Sequence, residues 1–107
     1  FYIETIAQNP NGITIKGTGF LSLKPAIFLD NPNRMVIDFD DTVLARNLRN
    51  KTFTIGAPEI DSEGTLKPKE IVRLGQNSTN VARLVIQGND AKNYRAVISP
   101  DLYCKKV

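Results

Sequence analysis

Short apolar runs rich in Ile, Val and Phe recur along the whole chain, each cut off by Gly, Pro or Asn. No window of about a dozen residues keeps apolar positions at the three- and four-residue spacing of a helix. A chain built this way folds as strands. The runs predict strands at Tyr2–Ala7, Ile13–Lys16, Ala26–Leu29, Met35–Phe39, Ile71–Leu74, Ala82–Gln87, Tyr94–Ile98 and Leu102–Val107. Asn31-Pro32-Asn33 reads as a turn, because Pro fixes φ and Asn tolerates turn geometry. Gly88-Asn89-Asp90 and a Pro100-Asp101 turn do the same later. Thr42–Arg49 is the one stretch compatible with a helix, with Thr42 as its N-cap, and is equally compatible with a loop.

The strands fall into two similar halves. ETIAQN, ITIKG, PAIFL and RMVIDF in the first are followed by VRLGQN, RLVIQG, YRAVI and LYCKKV in the second. Each half opens on a run ending in Gln-Asn (Gln8-Asn9, Gln76-Asn77), and each second run closes on glycine (Gly17, Gly88). Any antiparallel meander repeats itself to some degree. A duplicated four-strand unit accounts for more of the pattern. We therefore expect an all-β fold: a β-sandwich of two similar, roughly four-stranded sheets. The halves span about 1–55 and 69–107. Between them lies a connection at about 56–68, rich in Pro, Gly and charge and read as mobile. With 107 residues, 41% of them hydrophobic and 23% charged, the chain can fill one core and not two.

The missing residue types narrow the chemistry. There is no His, which removes Ser-His-Asp and Cys-His catalysis and every His-bearing zinc site. Cys104 stands alone, so no internal disulfide or thiolate cluster forms. No apolar run approaches the ~20 residues of a membrane span, and we read no signal-peptide pattern in these residues. The one methionine is Met35, so a piece cut from a longer chain is expected. Lys+Arg 14 against Asp+Glu 11 leaves +3, which permits an acidic partner without demanding one. The lysines are scattered and Trp is absent, an arrangement unsuited to nucleic acid.

Asp38, Asp40 and Asp41 could in principle bind calcium or serve as acid and base. Asp38 and Asp40 alternate with Ile37 and Phe39, as a half-buried strand requires anyway, and no calcium-loop motif is present. Glycosidase carboxyls normally come from separate elements flanking one cleft, which argues against a pair drawn from this one stretch. Tyr2, Tyr94 and Tyr103 could stack on a sugar but suit a strand equally well. The sequons at Asn50 and Asn77 matter only in a eukaryotic secretory route. Arginines are the better lead. Arg34, Arg73, Arg83 and Arg95 all sit on strands, and a guanidinium fork matches carboxylate or phosphate.

The segment LDNPNRMVIDF (Leu29–Phe39) resembles the hallmark of the AMIN domain, a non-catalytic module of bacterial cell-envelope proteins. IVRLGQ (Ile71–Gln76), ARLVIQG (Ala82–Gly88) and YRAVISPD (Tyr94–Asp101) resemble the family's later block in the same order. Where the family often has Arg-Val-Val in the second strand, this chain has Gly12-Ile13-Thr14-Ile15. The resemblance implies a β-sandwich found beside N-acetylmuramoyl-L-alanine amidases, pilus secretins and other periplasmic proteins. It implies a module without enzyme activity or cofactor that binds peptidoglycan and holds its parent at the envelope. Carried onto this chain, the binding residues are Arg34, Arg73, Gln76 and Arg83. The alternative is a protein-interaction module that recruits its parent to division or pilus machinery through an exposed sheet edge.

Overall fold

The computed structural model describes residues 1–56, 58–67, 69–98 and 101–107, with the Lys67 side chain also left aside. Ala57 and Pro68 of the expected connection, and Pro100 of the expected turn, lie outside the described residues.

The fold is all β. In chain order the strands are β1 Tyr2–Asn9, β2 Gly12–Thr18, β3 Ser22–Leu23, β4 Ile27–Leu29, β5 Arg34–Asp40, β6 Val43–Leu44, β7 Lys51–Ile55, β8 Glu59–Ile60, β9 Leu66–Lys67, β10 Glu70–Ser78, β11 Val81–Gly88, β12 Tyr94–Ile98 and β13 Leu102–Lys106. A five-stranded sheet runs β12-β13-β2-β1-β6, and a six-stranded sheet runs β3-β5-β11-β10-β7 with β4 also on β5. Each expected strand is present, most of them longer at one or both ends. Single-turn 3₁₀ segments lie at Arg46–Leu48 and Ala91–Asn93.

The repeat seen in the sequence has a definite spatial form. Within each half, the first two runs pair as a hairpin (β1-β2, β10-β11), and the next two do likewise (β4-β5, β12-β13). The halves then exchange their second hairpins. β2 pairs with β13, and β11 with β5. Each sheet therefore takes one hairpin from each half, rather than one half forming one sheet. The reason is that a hairpin with one apolar face must bury it against another element. The links after β2 and after β11 carry the chain across to the opposite sheet. Both glycines that close a second run sit hard against their hairpin partner. A Cβ on Gly17 would strike the Tyr2 carbonyl, and one on Gly88 the Lys69 carbonyl.

Alternation places the core. On β5, Met35, Ile37 and Phe39 are buried, while Arg34, Val36, Asp38 and Asp40 are half-buried on the other side. Ile3, Ile13, Ile15, Tyr94, Leu102 and Cys104 reach into the same cluster from the five-stranded sheet, so the two sheets enclose one core. Burial pushes the Cys104 thiol up to about 12, leaving it an inert apolar group.

One local expectation is corrected. Thr42–Arg49 is not a helix. Val43 N–H donates to Phe1 O and Ala45 N–H to Ile3 O, so this stretch is drawn onto β1 as the short parallel strand β6. The Thr42 hydroxyl donates back to Asp40 O at 2.7 Å instead of capping a helix. Within the expected connection a short hairpin forms. β8 pairs with β9, and the Asp61 carboxylate accepts from Glu63 and Thr65 N–H, both at 2.9 Å, closing the turn. The Asn31–Pro32 peptide is cis, and Asn31 takes φ 54°, the left-handed geometry expected of Asn there.

Glu70, 1% exposed, is the charged exception in the interior. Its Oε1 has no hydrogen-bond partner among the described residues. Burial raises its carboxyl pKa above the usual 4.5, against the pull of Lys106 and Lys69, with Asp90 and Glu59 adding to the rise. The native state thus holds this proton more tightly than the unfolded chain. The stability that Glu70 contributes is whole below the unfolded value and is lost as pH rises through the folded one. A Glu70→Gln chain should accordingly melt higher than the parent at pH 8, with the gain shrinking toward pH 4. Thermal melts across that range check this. A gain independent of pH would mean that the carboxyl titrates normally.

Candidate functional site

The outer face of the six-stranded sheet is set by the same period of two that builds the core. Cross-strand register forms three rows on it. Ile71 lies beside Gln87 and Arg34, Arg73 beside Val85 and Val36, and Gly75 beside Arg83 and Asp38. Arg34, Arg73 and Arg83 therefore share one face, although they come from three strands.

The middle of the Gly75 row is hollow. Gly75 has no side chain, and a Cβ built there would meet nothing within 4 Å. The result is a groove of about 440 Å³ whose lining includes Lys51, Thr52, Arg73, Asn77, Arg83 and Val85. That volume falls within the range of small-ligand sites. Three cations line the groove and no carboxylate does.

The cations differ in their commitments. Arg83 makes a fork with Asp38, Nε to Oδ1 at 2.8 Å and a terminal nitrogen to Oδ2 at 3.1 Å. These bonds hold the Asp38 carboxyl below the usual carboxylate range. Asp38 is thereby a fixed anion rather than an acid or base in waiting. Arg73 donates to Gln87 Oε1 at 3.1 Å and has no acidic partner among the described residues. Lys51 has none either among the described residues. Two of the three cations are thus unneutralised.

The other expected positions are placed differently. Arg34 bends back onto the turn before it, donating to Pro32 O at 3.1 Å and Asp30 O at 3.5 Å, and lies outside the groove. Gln76 lines one end, yet its amide is committed to backbone. Oε1 accepts from Leu44 N–H at 2.9 Å, and Nε2 donates to the carbonyls of Thr42, Ser78 and Val81. It ties β6 to the six-stranded sheet and shapes the groove from beneath. Asp40 pairs with Lys24 at 3.6 Å. Tyr94 is 1% exposed and belongs to the core, so it has no face to offer a sugar. Among the described residues, no group of three or more His, Cys, Asp or Glu side chains could hold a metal ion.

Sequence reasoning missed Lys51 and Gly75. For Gly75 the signal was there, since a glycine inside a strand marks a place where something approaches the backbone; Lys51 opens β7 opposite buried Leu74, a register that no local pattern gives.

Comparisons with curated proteins and with solved structures gave no match. The family model for the AMIN domain matches residues 2–101 of the 107. Together with the two-sheet fold and the arginine-bearing strands, that match makes the chain a member of the AMIN domain family, a family of non-catalytic cell-envelope modules.

Proposed function

We propose that this domain binds peptidoglycan and so localises an attached enzyme or secretion component in the periplasm, without catalysing a reaction itself. The groove over Gly75 carries this reading. It offers unneutralised Arg73 and Lys51, a forked Arg83 and a small apolar floor at Val85. Stem peptides of peptidoglycan present carboxylates beside small apolar side chains, which is the complementary chemistry. Arg34 extends the basic surface along the same face, and Gln76 acts as the positioning residue described above. A polymer ligand presents many copies, so a weak single site suffices. Among the described residues no helix is long and apolar enough to cross a membrane.

Co-sedimentation with purified sacculi tests the proposal. The domain should pellet with them at low ionic strength and release as salt screens the contact. The pair Lys51→Ala and Arg73→Ala should cut binding several-fold and leave the melting temperature nearly unchanged, since neither side chain has an acidic partner to lose. Lys16 and Lys105, exposed on the outer face of the five-stranded sheet, supply the control. Removing them takes away the same charge from the opposite side. Equal losses from both pairs would reduce the attraction to net charge and remove the groove from the account.

A further inference from the structure

The sandwich is closed along one side and open along the other. On the closed side β6 and the turn Arg46–Leu48 bury Leu44, Ala45 and Leu48. On the open side β12 ends the five-stranded sheet, and β4 lies at the margin of the six-stranded one. Residues that should be core are uncovered there. Phe28 pairs with buried Met35 and so faces inward, yet it is 40% exposed. Ile98 shares the inward face of β12 with buried Tyr94 and is 54% exposed. Beside Phe28 and Ala96 a cleft of about 430 Å³ reaches down to Ile37 and Tyr94.

The edge of β12 is also unpaired. Val107 N–H donates to Asn93 O, while Lys106 N–H turns to Asn11 O. Antiparallel alternation then directs the backbone of Arg95 and Val97 toward β13, and that of Tyr94, Ala96 and Ile98 outward. Tyr94 is already used: its N–H goes to Ala91 O, and its carbonyl accepts from the Arg95 side chain at 2.7 Å. Ala96 and Ile98 have no outward partner among the described residues. An edge of this kind is a template for another strand.

The rim of the cleft is basic. Arg95 stands over the Phe28 ring at 5.0 Å and meets no carboxylate among the described residues, and Lys105 lies across from it on β13. Lys24 lines the mouth, half-neutralised by Asp40 at 3.6 Å.

We infer that the open side of the sandwich is a strand-addition site, at which an extended partner segment with alternating apolar and acidic residues pairs with Ala96 and Ile98. Its apolar side chains enter the cleft over Phe28 and Ile37, and its carboxylates, on the opposite face of the added strand, meet Arg95 and Lys105. The unpaired backbone selects an extended chain, the uncovered core selects apolar side chains on its inner face, and the cationic rim selects acid on its outer one. This site is separate from the Gly75 groove and does not depend on the peptidoglycan reading.

The test uses a short acetylated and amidated peptide of alternating glutamate and valine, with a lysine-valine peptide as its counterpart. On titration into isotopically labelled domain, the acidic peptide should give saturable amide shifts centred on Ala96 and Ile98. The basic peptide should bind at least about tenfold more weakly. Ala96→Pro removes an outward N–H that has no partner among the described residues, so it should leave folding intact and weaken the acidic peptide by about tenfold or more. Arg95→Glu should weaken it comparably and serves if the proline variant does not fold. Sacculus binding should be unaffected by either change. The proposal is overturned by an absence of shifts on β12, by equal binding of the two peptides, or by indifference to both variants. A peptide-free dimer that Ala96→Pro dissolves would equally overturn it, by giving the edge to a second copy of this chain.

Discussion

An Ile37→Asp chain should fail to fold, while Val36→Asp one residue earlier should still give a folded domain. Ile37 is 1% exposed, on an interior strand facing the core that both sheets share. A carboxylate there loses most of its hydration among apolar neighbours. It also forfeits the packing of a branched aliphatic side chain against Leu84, its register partner, on the neighbouring strand. Losses of this kind reach about 4–5 kcal/mol or more. A domain of this size is stable by roughly 5–15 kcal/mol in total. Val36 points the other way, half-exposed beside Val85, and an aspartate there keeps most of its water. Expression in soluble form and far-ultraviolet circular dichroism separate the two. A soluble Ile37→Asp domain with the parent's melting temperature would place the strand one residue out of phase and would undo the assignment of faces, including the groove.

Much of this architecture was legible because burial and strand pairing leave period-two marks in a sequence. Arg34–Asp40 is the clearest case, since its alternation gave both the strand and its inward face. The Gln-Asn and Gly endings marked the duplication, and the glycine signal has a steric cause in the carbonyls of Tyr2 and Lys69. The exchange of second hairpins could not be read, because it depends on contacts between residues far apart along the chain. Val43–Leu44 eluded a local reading for a related reason. It becomes a strand only because β1 supplies its hydrogen-bond partners. The site was half visible. Arg73 and Arg83 stood out as arginines on strands, but which side chains are neighbours is a matter of register. Gln76 looked like a ligand group through its match to the family's later block, IVRLGQ. Its task is to bind the backbone of β6, a strand the sequence did not reveal.

The groove exists because Gly75 lacks a side chain, so restoring one should abolish binding without harming the fold. Gly75→Val is the sharpest form of the test. Nothing lies within 4 Å of the added Cβ, and Gly75 is not among the residues with positive φ, so the valine enters an ordinary strand conformation without a clash. Strand positions favour β-branched residues over glycine by up to about 1 kcal/mol. The melting temperature should therefore hold or rise by a few degrees. The isopropyl group, meanwhile, occupies the space between Arg73 and Arg83 that a carboxylate would need. Sacculus binding should fall at least about tenfold, more than on removing Lys51 and Arg73, because a blocked groove loses its Arg83 and Val85 contacts as well. A charge-only attraction behaves otherwise, since Gly75→Val leaves every cation in place and would leave co-sedimentation unchanged. A destabilised variant would show that Gly75 serves the backbone rather than the ligand. A stable variant with undiminished binding would move the peptidoglycan contact to another surface. Loss of binding with stability kept or gained leaves the groove as its place, because the one thing this substitution removes is room.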